Sequence, residues 1–266
     1  MLELIQNAND NKFIYDEPTL VVTYKNDCIQ VECNEVGFSP ENVTAICGLG
    51  KSSKKRPGDL TAYVGEKGIG FKSVFRVADV VWVSSRAYNF KFDSNTDLGM
   101  ITPISERFPV TKLPGWTSFY LQLRKDQDGP KVQQKILAEL EGFDARLLLF
   151  LQNLRTIKIN IADGDRGVRT CIFSRANAQC NGDEMINLTR DKVTTSYLIH
   201  RYTVTSLPPE ERRSRVKSSE TVLAFPIDQN KEPIIAPQQV FAFLPIYDFG
   251  FSVSREKQSF ALSCKS

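Results

Sequence analysis

The sequence predicts an α/β fold. Helical patterns interleave with strand-like runs along the chain, the first two strands are spaced for a hairpin, and a glycine turn opens a short helix. The length of 266 residues suits one large domain or two small ones. Apolar residues make up 41% of the chain and charged residues 24%, so a core can form and no compositional bias argues against a globular protein.

The elements follow in order. Leu2–Asn9 reads as a helix, with Leu2 and Ile5 on one side. Thr19–Tyr24 and Cys28–Cys33 read as strands joined at Lys25-Asn26-Asp27. At the next helix Ser39 caps, Pro40 takes the first position and Asn42 the third; the helix then runs through Val43, Ile46 and Cys47. Residues 48–65 are rich in Gly, Ser, Lys and Pro and read as a binding loop or lid. Gly65-Glu-Lys-Gly-Ile-Gly-Phe-Lys-Ser opens a short helix through Val77. Val80–Ser84, Asn89–Asp93 and Thr117–Leu123 alternate as strands, and Lys131–Leu140 and Asp144–Leu151 are helical. Further strands are expected at Thr156–Ile161, Arg169–Ser174, Thr194–Thr205, Val222–Pro226 and Val240–Leu244. Lys125–Pro130 is the weak point between halves, which places a boundary at residue 126.

Several function classes lose support. The net charge of +3, from 34 basic and 31 acidic residues, gives no argument for nucleic acid or an anionic membrane. No apolar run approaches the roughly 20 residues that span a bilayer. The first residues lack a secretory layout, so an intracellular protein is expected, with cytoplasm and nucleus undistinguished. Six cysteines without a C-x-x-C pair read as free buried thiols. His200 is the only histidine, which argues against a multi-histidine zinc site and a Ser-His-Asp triad.

Two patterns carry chemistry. Glu3, Asn7 and Asp10 stand at i, i+4 and i+7 and share one helical face. The Asn7 oxygen can ligate Mg²⁺, and Glu3 can orient or deprotonate a water. A solvated polar stripe is the plainer reading of the same three residues. Gly65, Gly68 and Gly70 let the backbone approach a ligand, and a helix starting at Phe71 would aim its free N–H groups at phosphate. No Gly-Lys-Ser/Thr follows at Walker spacing, and a loop rather than a strand precedes the glycines, against a dinucleotide fingerprint.

Taken in order, Glu3–Asp10, Gly65–Phe75 and Thr117–Leu123 resemble the N-box, the glycine-rich box and the late threonine strand of the GHKL superfamily. That superfamily includes gyrase B subunits, MutL proteins, histidine kinases and ninety-kilodalton heat-shock chaperones. With Asn34–Ser39, Leu223–Pro226 and Phe241–Pro245, nearly the whole chain resembles NO VEIN-type plant and fungal proteins with a histidine-kinase-like ATPase domain, and more distantly sacsin. The resemblance implies a two-layer α/β sandwich (the Bergerat fold) over residues 1–126, its mixed, mostly antiparallel sheet covered by helices on one face. A smaller α+β, transducer-like region would follow over residues 127–266.

By the same resemblance, Glu3 is the catalytic carboxylate, Asn7 the Mg²⁺ ligand and Asp10 a pocket-wall acid. Gly68, Ile69, Gly70 and Phe71 cradle phosphate, Lys54 is a lid lysine, and Thr117 bonds near adenine. For Lys54 a solvated basic loop is an equal alternative. The chain departs from the pattern at the adenine-binding Asp-x-Gly-x-Gly. With Gly37 as its second glycine, Cys33 occupies the Asp position; a shift of one gives Asn34, whose oxygen accepts without charge assistance. The N-box begins at residue 3, and Ser252–Glu256 follows Phe251 at once, as in a fragment. The implied function is an ATP-binding, chaperone-like module, a slow Mg²⁺-dependent ATPase in which lid closure drives a conformational change toward a protein client. The alternative is a degenerate nucleotide-binding scaffold without useful hydrolysis.

Overall fold

The structure is a computed structural model. It describes residues 1–14, 17–48, 71–162, 167–180, 183–205, 219–235, 237–242, 244–256 and 259–265. Strands dominate it. An 11-stranded mixed sheet has the order β11-β10-β9-β8-β7-β1-β2-β6-β3-β4-β5, and a separate three-stranded sheet has the order β12-β13-β14. In chain order these are β1 (Thr19–Lys25), β2 (Cys28–Cys33), β3 (Ala78–Ser85), β4 (Tyr88–Asp93), β5 (Ile104–Ser105), β6 (Thr117–Leu123) and β7 (Thr156–Ala162). The series continues with β8 (Val168–Cys180), β9 (Asp183–Arg190), β10 (Val193–Val204), β11 (Ser219–Ile227), β12 (Pro237–Ala242), β13 (Leu244–Glu256) and β14 (Ser259–Lys265). The α-helices are α1 (Leu2–Asn9), α2 (Pro40–Cys47), α3 (Gly129–Glu141) and α4 (Leu147–Phe150), with a 3-10 turn at Phe71–Arg76.

This corrects the expected two-layer α/β sandwich. Among the described residues the helices are too few and too short to form the layer that such a fold needs. The sheet also does not stop at residue 126, because β1 keeps a free edge that β7 fills in parallel, with Leu20 opposite Ile157 and Tyr24 opposite Ile161. The period-two alternation of the later sequence extends one sheet where a separate α+β region was expected.

The chain forms two compact units. The first comprises Met1–Phe143 and Gln152–Phe173. Register makes one face of its strands apolar: Val22 stands opposite Val31, Val31 opposite Phe119, Phe119 opposite Val83 and Val83 opposite Phe90. Leu20, Leu121, Leu123, Phe92 and Ile157 are fully buried in it, each side chain contributing about 1.5–3 kcal/mol. Phe71 of the 3-10 turn meets Phe92 and Phe119, which puts the turn on this face. Helix α1 lies beside the turn and buries Leu4, Ile5 and Ala8. Asn9 ties the end of α1 to the approach to β7, its Oδ1 accepting from Asn153 N at 2.9 Å and Leu154 N at 3.2 Å.

The second unit comprises Asp144–Leu151 and Ser174–Ser266. Only Leu147–Phe150 of the expected Asp144–Leu151 helix is α-helical. Arg175, buried on β8, donates to the carbonyls of Leu148 and Leu151 and so satisfies two of the orphan acceptors at that helix end. The two-residue turn Asp191-Lys192, with Asp191 at φ +54°, joins β9 to β10.

Candidate functional site

Thr117 starts β6 at one end of the first unit's sheet, Asn34 and Gly37 follow the strand that ends beside it, and Phe71 packs on Phe119 nearby. Strand β2 ends at Cys33, opposite the first residue of β6, Thr117. Ser85 ends β3 alongside it, one residue past the Ser84–Ser118 pair. The segment leaving β2 carries Glu35 over this end, where it is 5% exposed. Thr117 Oγ1 donates to Glu35 Oε1 at 2.5 Å. Ser85 Oγ lies 2.6 Å from Thr117 Oγ1 and accepts the Phe38 N–H at 2.8 Å. Thr117 has one proton and gives it to Glu35, so Ser85 must donate to Thr117. The chain therefore runs one way, from the Phe38 amide through two hydroxyls to the carboxylate. Burial first, and then the charge of Glu35, push the Cys33 thiol well above its usual range, so this thiol is unreactive.

Aromatic rings border the carboxylate chain. Phe119, two residues beyond Thr117, has its ring centroid 6.2 Å from Phe38 and 5.8 Å from Phe71. The backbone from α1 arrives at the same place, where Lys12 O accepts from Val36 N at 3.0 Å. On α1 itself Leu4, Ile5, Gln6, Ala8 and Asn9 are buried, Asn7 and Asp10 are half-buried and Glu3 is exposed. Asn7 keeps a hard oxygen donor on the less buried side of the helix, which fits Mg²⁺. Among the described residues no group of three His, Cys, Asp or Glu side chains could hold a metal ion. A Mg²⁺ ion at Asn7 would draw most of its oxygens from phosphate and water.

Other predicted residues have different roles or lie elsewhere. Asn34 is a structural clamp: its Oδ1 accepts from Thr19 N at 2.7 Å and its Nδ2 donates to Glu17 O at 2.9 Å. The first of those bonds takes one lone pair of the oxygen that the resemblance offers to an adenine amine, and both tie the side chain to the start of β1. Gly37 has φ +83°, a conformation that favours glycine. Phe71 opens a six-residue 3-10 turn in place of the expected helix, too short for an aligned helix dipole. Lys54, Gly68, Ile69 and Gly70, with nearly all of the expected lid, lie outside the described residues. Glu35 is the residue that the sequence reading missed. Its signal was the spacing Glu35-x-Gly37, which treats Gly37 as the first glycine of the motif and puts a carboxylate at the Asp position.

Lys72 adds a cation on the apolar side of the turn. Its Nζ lies 4.3 Å from the Phe92 ring centroid and 5.5 Å from that of Phe71, and it donates to Met100 O. Desolvation pushes its pKa down to about 8, against a smaller opposing effect from Cys47. Two shallow depressions, one lined in part by Thr194–Ser196 and Asp228 and the other by Asn177–Gln179 and Glu184, lie in the second unit and contain no predicted site residue.

The chain is 32% identical over 272 residues to Protein NO VEIN of Arabidopsis thaliana, a match covering 94% of the chain and 10% of that protein. It is 29% identical over 221 residues to human Sacsin, covering 64% of the chain and 5% of that protein. The chain is homologous to a segment of each and spans a small fraction of their length. No protein-family model matches it.

Proposed function

We propose that the first unit binds ATP with Mg²⁺ and is related to the GHKL superfamily. The observation that carries this reading is the buried Glu35–Thr117 bond. A carboxylate fixed at the sheet end is suited to accept the exocyclic amine of adenine, with charge assistance that Asn34 could not give. In this reading Glu35 takes the part of the adenine-binding Asp, and Thr117 the part assigned to it by resemblance. Asn7 holds Mg²⁺, which would neutralise phosphate charge. The proposal rests on the site and not on layer architecture, since one chemistry recurs on different folds.

The exposure of Glu3 favours a second reading, nucleotide binding without hydrolysis. In the first reading Glu3 faces the attacking water only once nucleotide is bound. Calorimetric titration with ATP and ADP, with and without Mg²⁺, tests the binding. Wild type should bind and Glu35→Gln should bind adenine nucleotides about tenfold or more weakly, the amide having lost its charge. Equal affinity in both would remove Glu35 from the pocket. Where turnover is measurable, Glu3→Gln should keep affinity and lose about 10²–10⁴-fold in rate; a wild type that binds and never hydrolyses supports the second reading.

A further inference from the structure

The β3–β4 turn holds the segment that carries Glu35 at two points. Ser85 Oγ takes the Phe38 N–H at 2.8 Å, and Arg86 Nε donates to Val36 O at 2.7 Å. Between these points lies Gly37 at φ +83°. A Cβ on Gly37 would stand 2.6 Å from Arg86 Cγ and 2.8 Å from Arg86 Nε. The arginine stem fills the space that any other side chain at position 37 would need. Arg86 is itself at φ +52°, a region that non-glycine residues rarely enter, so the turn is shaped to lay this side chain across the glycine.

The consequence falls on the carboxylate. Val36 follows Glu35 directly, and the Arg86 bond fixes the orientation of the Val36–Gly37 peptide. Ser85, adjacent to Arg86, is the middle hydroxyl of the chain that ends on Glu35. Both anchors therefore come from consecutive residues of one turn. We propose that Arg86 is a positioning residue, which aims the Glu35 carboxylate by clamping the Val36–Phe38 backbone and so sets base recognition. The proposal rests on the nucleotide-binding reading. It assigns Arg86 no contact with phosphate, and the effect reaches the ligand only through Glu35.

The test compares wild type, Arg86→Ala and Arg86→Met with four ligands: adenosine, ATP, GTP and inorganic tripolyphosphate with Mg²⁺. Arg86→Ala should bind adenosine roughly tenfold more weakly, the scale of one lost hydrogen bond, and should narrow the preference for ATP over GTP. Its affinity for Mg-tripolyphosphate should not change. Arg86→Met keeps an unbranched stem over Gly37 and has no side-chain donor for Val36 O. It should stay folded to near the wild-type thermal midpoint and still lose adenosine affinity. In the absence of ligand, the Phe38 amide should exchange faster with solvent in both variants.

Equal losses for adenosine and tripolyphosphate would mean general loosening and would overturn the positioning role. Unchanged adenosine affinity in Arg86→Ala, or full affinity in Arg86→Met, would also overturn it. A wild type that binds neither adenosine nor ATP would instead overturn the nucleotide-binding reading itself, a separate and earlier failure.

Discussion

A carboxylate withdrawn from water must regain its hydrogen bonds from the protein. Glu35 does so through Thr117, and Thr117 is oriented in turn by Ser85. Lys72 faces the opposite problem: an ammonium among phenyl rings, with the Met100 carbonyl as an acceptor. Its pKa of about 8 lies below the ordinary 10.5. Below about pH 8 both folded and unfolded chains hold the proton, and the cost of sheltering the charge is fully present. Between the two values the unfolded chain binds more protons, so stability rises with pH. Wild type should therefore gain thermal midpoint relative to Lys72→Met as pH rises from about 7 to about 10. A constant difference across that range would show that Lys72 titrates as an ordinary lysine. Neither group was legible as part of the site in the sequence. Glu35 stands beside Asn34, and the motif register that favours one excludes the other; the hydroxyl that selects Glu35 comes from residue 117, across the sheet. The role of Asn34 was equally hidden, because its partners, Thr19 and Glu17, belong to the first residue of β1 and the segment leading into it.

Elements set by local chemistry were the easiest to read. The start of α2 shows this: Ser39 Oγ accepts from Asn42 N at 3.3 Å, and Asn42 Oδ1 accepts from Ser39 N at 2.9 Å, with Pro40 at the first helical position. Ser39→Ala should destabilise the first unit by about 1 kcal/mol, read as a lower denaturant midpoint with an unchanged slope. A loss below a few tenths of a kcal/mol would mean that α2 is held by packing alone. The hairpin of β1 and β2 was legible for the same reason, its turn at Asn26 taking φ +55°. Elements that depend on distant partners were harder. The residues after the last glycine of the box form a 3-10 turn where a helix was expected, and Phe71 and Phe75 pack onto Phe92. Strand β9 was not anticipated; its place is fixed by pairing with β10, Ile186 opposite Tyr197 and Leu188 opposite Thr195.

At the scale of the whole molecule, the number of strands in one sheet is decided by edges, and edges leave little trace in a single sequence. Alternation at Thr156–Ile161 predicted a strand but not its neighbour; the parallel pairing of β1 with β7 is what carries the sheet past the expected boundary. The candidate site needs only the first unit, in which α1, residues 34–38, the 3-10 turn and the start of β6 meet. The most direct test of that claim is amide hydrogen exchange with and without Mg-ATP. Residues 1–12, 34–38, 71–76 and 117–119 should gain protection, and residues 183–204 of the second unit should exchange as before. No change at 34–38 and 117–119, or protection confined to the second unit, would contradict the assignment of this sheet end as the nucleotide site.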